Sequence, residues 1–363
     1  MSEAAISETQ GCAPRANPDL IGHGAAERVL LEAFGSGRLP HAWLLAGPRG
    51  IGKATLAYRF ARFVLAGGQG PDLFGAAPQS LFLAPEDPVF RRIAAGGHLD
   101  LRVIERSINP KTGKLRSETV VDDVRAAVDF LRKTAAEGGW RVVIADPVDD
   151  LNPTAANALL KVLEEPPAQV LLLLVSHAPG RLLPTIRSRC CRLGLEPLTE
   201  DAVAELLGRA QPDLPPEEIA ALARLSEGSP GRALDLAAGG GVEFYRELVA
   251  VLSSLPQLDI PRVHALGDRL SRGADGAAFR GGAELMTWWL GRFVRAAAEG
   301  RLPPEVVPGE TALMARLLER RDLAHWLGLW EKITRLFAQT EGANLDRKQV
   351  VITALLEFEA VAA

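Results

Sequence analysis

The sequence predicts an α/β protein: a core in which a parallel β-sheet carries helices on both faces, followed by segments that are helical throughout. Three observations support this class. Near-continuously apolar runs such as RVVIA at 141–145 and VLLLLVS at 170–176 are typical of strands covered on both faces. These runs alternate with stretches of helical periodicity, which predicts right-handed crossovers in a parallel sheet. After Pro197 no run is typical of a strand.

The composition is that of an ordinary soluble protein with two or three domains. The chain has 363 residues, of which 47% are hydrophobic and 24% charged. Its 41 basic and 45 acidic residues give a net charge of −4, which predicts no strong overall attraction to nucleic acid. Three cysteines (Cys12, Cys190 and Cys191) make neither a disulfide framework nor a zinc set. Without a membrane-length apolar run or a secretory leader pattern, we expect a reduced, cytoplasmic protein with no membrane contact.

The run AWLLA at 42–46 predicts a strand, and the apolar spacing from Leu56 to Val64 predicts the helix after it. The loop between them fits the phosphate-binding pattern G-x-x-x-x-G-K-[ST] at seven of its eight positions. In such a loop, inward-facing backbone N–H groups and the positive end of the following helix bind phosphate, and the lysine contacts the β/γ oxygens. The predicted nucleotide-binding residues here are Gly47, Pro48, Arg49, Gly50, Ile51, Gly52, Lys53, Ala54 and Thr55.

The eighth position of the pattern is Ala54, which has no hydroxyl to coordinate the magnesium ion of a bound nucleotide. Thr55 follows it, but its side chain would point about 100° further around the helix. Two interpretations stay open from the residues alone. The loop binds ATP or ADP without hydrolysis, or it persists only as a structural element.

The next elements are a strand at 100–104, a turn at 109–114 and a helix over 119–136. The helix is indicated by the spacing of apolar residues from Val121 to Leu131. Basic residues cluster in and beside the turn, where they could be a solvated face or could contact nucleic-acid phosphates. These basic residues are Lys111, Lys114 and Arg116, and a second small group is Arg91 and Arg92.

The strand predicted at 141–145 ends at Asp146, which we expect to be the second nucleotide-binding element. Nucleotide hydrolases of this type commonly carry an acidic residue next, to prepare the attacking water, but this chain has Pro147. A general base contributes about 10²–10⁴ in rate, so we expect negligible hydrolysis in the chain's own site. We expect Asp149 and Asp150 to lie in the following loop, solvated or capping the next turn.

Asn152 and Pro153 predict the start of another helix, and CCRLGL at 190–195 predicts a last short strand. Three arginines (Arg187, Arg189 and Arg192) surround the start of that strand. An arginine offered at a domain edge can stabilise the transition state at a neighbouring subunit's γ-phosphate, which is worth about 10³–10⁵ in rate. From the residues alone, an arginine before a strand is more often a solvated or salt-bridged surface residue.

Beyond Pro197 the helical patterns predict short helices over 199–237, with GSPGR at 228–232 between two of them, and further helices over 242–360. Four tryptophans in the last part (Trp288, Trp289, Trp326 and Trp330) are expected in its core. Asp346 with Gln349 predicts a capping box. The glycines at 237–242 suggest a hinge, so we expect a core at 1–197, a helical lid at 198–240 and an all-helical domain at 241–363.

Several segments together resemble the delta-prime subunits of bacterial DNA polymerase III, within the clamp-loader branch of the AAA+ family. They are PHAWLLAGPRGIGKATLA, NPTAANALLKVLEEPP, Ser188-Arg189-Cys190 (SRC), DLIGHGAAERVL and NLDRKQVVITALL. The resemblance implies an AAA+ P-loop core, a small lid and a C-terminal collar that holds a pentamer together. It also implies that Arg189 acts in trans on ATP held by a neighbouring motor subunit, that Arg232 is a nucleotide sensor, and that Ser176 or His177 occupies the first sensor position.

The partners implied by the resemblance are the tau/gamma motor subunits and the delta subunit, with the sliding clamp and primer–template DNA reached through the assembly. The implied role is in replication, as a DNA-binding assembly within the DNA polymerase III holoenzyme, a nucleotidyltransferase complex, without ATPase activity of its own. Tau/gamma subunits keep an intact phosphate loop and the acidic residue after the strand aspartate. Ala54 and Pro147 therefore favour delta-prime.

The chain departs from many relatives in having no four-cysteine zinc module, because residues 66–99 contain no cysteine. The acidic and histidine side chains there have no zinc-ligand spacing, so no zinc is predicted; they are Asp72, Glu86, Asp87 and His98. Two other functions stay open: an autonomous AAA+ ATPase of the tau/gamma kind, and a scaffold in which Arg189 has no role.

Overall fold

The computed structural model describes residues 13–68, 78–137, 139–273, 276–343 and 345–363. Cys12, Asp72 and most of the glycine-rich stretch after the first predicted helix lie outside the described residues. The chain divides into two compact units. One runs up to Ala210 and adds Glu227–Arg232, and the other comprises Gln211–Ser226 and Ala233–Ala363.

The first unit is built on a five-stranded parallel sheet with the strand order β2-β3-β4-β1-β5. Every strand pair is parallel, and all five strands were predicted at nearly these positions. The parallel sheet predicted from the apolar runs is therefore confirmed. The strands are β1 (Ala42–Ala46), β2 (Leu101–Ile104), β3 (Arg141–Ala145), β4 (Val170–Ser176) and β5 (Cys191–Gly194).

Both faces of the sheet are buried along its three central strands, because alternate residues of β1, β3 and β4 enter two separate hydrophobic cores. Val143 of β3 packs in one core with residues of α4 and α5, including Val124 and Leu159. Its neighbour Ile144 packs in the other core with residues of α1 and α2, including Phe60. The helices of this unit are α1 (Gly24–Gly35), α2 (Lys53–Leu65), α3 (Pro88–Ala94), α4 (Val121–Leu131), α5 (Pro153–Glu164), α6 (Pro184–Arg187) and α7 (Glu200–Ala210).

Helix α4 is shorter at both ends than the predicted span of 119–136. After its last turn the backbone is used in other contacts. The carboxylate of Asp100 accepts the N–H of Ala136 at 2.8 Å, and the guanidinium of Arg141 donates to the carbonyl of Lys133. The apolar spacing from Val121 to Leu131 matches the observed helix, whereas the predicted extension to 136 is wrong because that backbone makes these side-chain contacts instead.

The predicted start of α5 is confirmed. Asn152 has extended backbone angles, and its side chain accepts the N–H of Ala155 at 2.9 Å, with Pro153 in the first turn. This cap satisfies one of the N–H groups that a helix start leaves without a partner.

After β5 the described residues contain helices and no strand. The predicted segment 228–232 is only partly correct, since α9 already begins at Pro230, a residue that suits the first turn of a helix. Asp346 caps the last helix by accepting the N–H of Gln349 at 3.0 Å. The helices are α8 (Pro216–Leu225), α9 (Pro230–Ala238), α10 (Gly241–Leu252), α11 (Ile260–Ser271), α12 (Ala277–Glu299), α13 (Glu310–Arg320), α14 (Leu323–Ala343) and α15 (Arg347–Ala362).

The second unit has an aromatic core. Trp289 stacks on Phe293 with ring centroids 5.3 Å apart, and Phe293 meets Trp326 edge to face at 5.0 Å. Trp289 and Trp326 are fully buried, so the prediction that they form core is confirmed, whereas Trp288 and Trp330 are only partly buried. The three-part domain division stays a prediction. No helix among the described residues is both long enough and apolar enough to span a membrane.

Candidate functional site

The phosphate loop lies between β1 and α2, at the carboxyl end of β1. Gly50 and Gly52 have φ angles of +75° and +104°, in the left-handed region that favours glycine. A Cβ at position 50 would lie 2.4 Å from the Oγ of Ser229, so the loop also requires glycine there for space. The backbone form that the glycine spacing predicted is present.

Lys53 is almost completely buried at the start of α2, with 2% of its surface exposed. Its ammonium group donates to the carbonyl of Gly47 at 2.8 Å and to that of Pro48. Burial lowers the pKa of Lys53 to about 8, against the opposing effect of the carboxylates of Asp146 and Asp149. The side chain is therefore a cation at neutral pH, held within the loop that would receive phosphate.

Asp146 follows β3 directly, and its backbone N–H bonds to the carbonyl of Ile104 at 3.0 Å. Burial raises the pKa of its carboxyl to about 6; Lys53 acts in the opposite direction, and Glu105 adds to the increase. The two predicted elements, Lys53 and Asp146, thus lie close enough for each to affect the pKa of the other, at the carboxyl ends of β1 and β3. Pro147 follows with no carboxylate to activate water.

The sequence suggested that Asp149 is solvated or caps the next turn, and the structure shows neither role. Its carboxylate accepts the hydroxyl of Ser176 at 2.8 Å and the backbone N–H groups of His177 and Ala178 at 2.5 and 3.3 Å. Asp149 therefore ties the loop after β3 to the carboxyl end of β4, where the first sensor was expected. The adjacent Asp150 pairs instead with Arg106 at 3.2 Å.

His23 contacts the phosphate loop and was not predicted as a site residue. Its Nε2 lies 2.6 Å from the carbonyl oxygen of Ile51, which requires a hydrogen on that nitrogen. Burial lowers the pKa of His23, and nearby Lys53 lowers it further, whereas the bond to Ile51 raises it. The contact spans 28 residues of sequence, and no local motif indicates it.

The segment around Arg232 packs against the tip of the loop through its backbone and Ser229. The Ser229 hydroxyl donates to the carbonyl of Arg49 at 2.9 Å, and the N–H of Gly231 donates to the carbonyl of Gly50 at 2.9 Å. The Arg232 guanidinium is mostly buried and lies 3.5 Å from a carboxylate oxygen of Glu227. The backbone next to Arg232, the predicted sensor, thus contacts the phosphate loop, while the Arg232 side chain forms a salt bridge with Glu227.

The metal position of the loop carries Ala54, and Thr55 is buried in α2 with 9% of its surface exposed. Neither residue offers an accessible hydroxyl to a nucleotide-bound magnesium ion. Within the described ranges, no group of three or more His, Cys, Asp or Glu side chains is arranged to hold a metal ion. The absence of zinc stays a prediction.

Arg189 lies at the amino end of the strands, opposite to the phosphate loop. β1 and β5 run parallel, with Trp43 opposite Cys191 and Ala46 opposite Gly194. The phosphate loop follows the carboxyl end of β1, whereas Arg189 precedes the amino end of β5. At about 3.3 Å per strand residue, four residues of strand already separate the two by roughly 13 Å. Arg189 therefore faces away from the chain's own phosphate loop.

The guanidinium of Arg189 is about one-third exposed. It donates to the carbonyl of Thr185 at 3.0 Å and pairs with Glu164, at the end of α5, at 2.9 Å. Arg187 and Arg192 are exposed. Of the three predicted arginines, Arg189 is the one that the fold holds in a defined position.

A family model described as "DNA polymerase III, delta subunit" matches residues 22–199. A DNA polymerase III subunit delta' from Pseudomonas aeruginosa is 43% identical over 52% of this chain and 53% of its own length. The subunit delta' from Escherichia coli is 33% identical over 63% of this chain and 64% of its own length. The chain thus spans about half to two thirds of these curated relatives.

Two further similarities complete the comparison. Subunit tau from Escherichia coli is 30% identical over 86% of this chain and 48% of its own length. Among solved structures, a gamma subunit-related protein from Thermotoga maritima matches with a TM-score of 0.42 and 19% identity, covering 92% of this chain and all of that chain. The resemblance first inferred from sequence motifs is confirmed by the sequence comparisons.

Proposed function

We propose, from the match of residues 22–199 to the family model described as "DNA polymerase III, delta subunit", that the chain is a non-hydrolysing component of a DNA polymerase III sliding-clamp loader. In this proposal Arg189 completes the ATP site of a neighbouring motor subunit. The chain acts in replication by making another subunit's chemistry possible, and it is a delta-prime-type subunit.

The proposal rests mainly on the placement of Arg189 and the phosphate loop at opposite ends of the parallel strands β1 and β5. An arginine that lies far from its own loop and is partly exposed is placed to serve a phosphate from outside the chain rather than one in its own loop. A guanidinium supplied in this way stabilises the charge that develops on a transferring γ-phosphoryl group.

The chain's own loop supports a static role. Ala54 provides no metal ligand and Pro147 no general base, so two components of hydrolysis are missing. Lys53 and the left-handed glycines keep the features that bind phosphate. We infer that the loop holds ATP or ADP without turnover, with Asp146 and Arg232 beside it.

The proposed partners are those that the resemblance of the sequence implies. They are the tau/gamma motor subunits and the delta subunit of DNA polymerase III, with the sliding clamp and primer–template DNA contacted through the assembly. The helical region after the sheet would supply the collar that joins the subunits.

A second function, an autonomous ATPase of the tau/gamma kind, is favoured by one observation. Similarity to the Escherichia coli subunit tau extends over 86% of this chain, further than similarity to the delta' subunits. The isolated chain would then hydrolyse ATP, which Ala54 and Pro147 argue against.

The experiment is a steady-state ATPase assay of the reconstituted loader, stimulated by clamp and primed DNA, with wild-type chain, Arg189→Ala and the nearby control Arg192→Ala. We expect Arg189→Ala to remove the share of turnover that belongs to one neighbouring site, since loss of such an arginine costs about 10³–10⁵ there. Arg192→Ala should match wild type. Undiminished turnover with Arg189→Ala would make the chain a scaffold, and turnover by the isolated chain would make it a motor.

A further inference from the structure

Glu164, the last residue of α5, contacts the arginine to which a function in trans is assigned above. Its carboxylate oxygen lies 2.9 Å from Nη2 of Arg189. The two residues are 25 positions apart in the sequence, with β4 and α6 between them. The pair exists because the fold returns both segments to the same end of the sheet.

The backbone of Arg189 is fixed from two sides. Its N–H donates to the carbonyl of Ile186 at 3.1 Å, and the next residue, Cys190, packs against the hydrophobic core that α4 and α5 cover. Ile186 itself is buried in that core. The point from which the long side chain starts is therefore rigid.

Three acceptors hold the two terminal nitrogens of the guanidinium. Nη1 donates to the carbonyl of Thr185 at 3.0 Å and to the hydroxyl of Ser188 at 3.4 Å, while Nη2 meets Glu164. Arginine has five N–H donors in a planar fork, so donors remain for an oxyanion presented from outside the chain. Glu164 is the one charged group in this set.

The ion pair adds little to stability. The side chains of Arg189 and Glu164 are 35% and 50% exposed, and pairs at such positions contribute little to the free energy of unfolding. Its main effect is on the position of the guanidinium, because a free arginine samples many rotamers. Misplacement of a reacting group by about 1 Å can cost as much as 10² in rate.

We propose that Glu164 is a positioning residue, which holds the guanidinium of Arg189 in the orientation that meets the γ-phosphate of a neighbouring subunit. This inference rests on the proposed function, since it has meaning only if Arg189 acts in trans. Glu164 itself touches no nucleotide and works through Arg189.

The chain offers a matched control. Glu165 is adjacent, exposed and equally charged, and it has no ion pair with Arg189. Replacing it changes the net charge by the same amount as replacing Glu164. A general electrostatic effect would therefore appear in both variants, and a positioning effect only in one.

The test is the ATPase of the reconstituted loader, measured as kcat and KM for ATP, with Glu164→Ala, Glu164→Gln and Glu165→Ala, each in wild-type and Arg189→Ala backgrounds. We expect Glu164→Ala to lower the turnover of the neighbouring site roughly tenfold with KM unchanged. Glu164→Gln, which keeps a hydrogen-bond acceptor, should lose less. Glu165→Ala should equal wild type, and Glu164→Ala should have no further effect once Arg189 is alanine.

The outcomes distinguish the positioning role of Glu164 from the proposed function of Arg189 in trans. If Arg189→Ala leaves turnover unchanged, the proposed function fails. If Arg189→Ala lowers turnover but Glu164→Ala does not, or if Glu164→Ala raises it, only the positioning role is overturned. An equal loss from Glu164→Ala in the Arg189→Ala background would also overturn it, because the effect would then come from the fold. Thermal unfolding of the full chain should be the same for Glu164→Ala and Glu165→Ala.

Discussion

The Lys53 side chain is buried and yet protonated at neutral pH. It is packed at the start of α2, yet its ammonium has two carbonyl acceptors and two carboxylates near it. Burial of a lysine disfavours its charged form, and these groups partly restore it. The balance leaves a cation whose pKa of about 8 is close to physiological pH.

This balance predicts a pH dependence of nucleotide binding. Lys53 is protonated below about pH 8 and neutral above it, so the affinity of the isolated chain for ADP should fall as the pH rises from 7 to 9. Isothermal titration calorimetry at pH 7, 8 and 9 would measure it. Lys53→Arg, which stays charged at all three values, should flatten the profile. An unchanged affinity for the wild-type chain would remove Lys53 from the phosphate contact.

At the scale of elements, Asp149 joins the ends of two neighbouring strands. Its carboxylate accepts one hydroxyl and two backbone N–H groups at the end of β4, although it belongs to the loop after β3. Hydrogen bonds to a charged acceptor are stronger than neutral ones, and their loss leaves buried donors without partners.

We therefore expect Asp149→Ala to lower the free energy of unfolding by about 2–3 kcal/mol. The adjacent Asp150→Ala serves as the control, because its ion pair with Arg106 is partly exposed and contributes about 0–1 kcal/mol. Urea unfolding followed by circular dichroism would measure both variants. Equal losses for the two would mean that Asp149 has no special structural role.

Local sequence signals predict the elements of the fold better than the contacts between them. The five strands and the Asn152 cap were predictable, because apolar runs and capping residues are local signals. Asp149, His23 and Ser229 were not, since their partners lie 27, 28 and 180 residues away in sequence. The end of α4 was misjudged for the same reason: its backbone is taken up by side chains from β3 and from the residue before β2.

The whole molecule consists of two compact units, one built on the sheet and one built only of helices. Each has its own core and at least one capped helix: Asn152 caps α5 in the first unit and Asp346 caps α15 in the second. Loss of an N-cap side chain costs about 1 kcal/mol.

The units should therefore respond separately to the loss of a cap. We expect Asn152→Ala to lower the midpoint of one calorimetric transition and Asp346→Ala to lower that of another, each by a few degrees. Differential scanning calorimetry of the two variants and of the double variant would test this. A single transition shifted equally by both substitutions would show that the chain unfolds as one cooperative body.

The opposite placement of the phosphate loop and Arg189 gives the chain a direction. A subunit with a nucleotide edge and an arginine edge associates head to tail, so its two neighbours meet different surfaces. If, as proposed, the loop does not hydrolyse ATP, the chain would complete the ATP site of one neighbour and would need no arginine from the other. In a series of otherwise active subunits it would be a terminus, and two copies side by side would create a silent junction. The order of the subunits would then follow from the sheet, because the phosphate loop follows the carboxyl end of β1 and Arg189 precedes the amino end of β5.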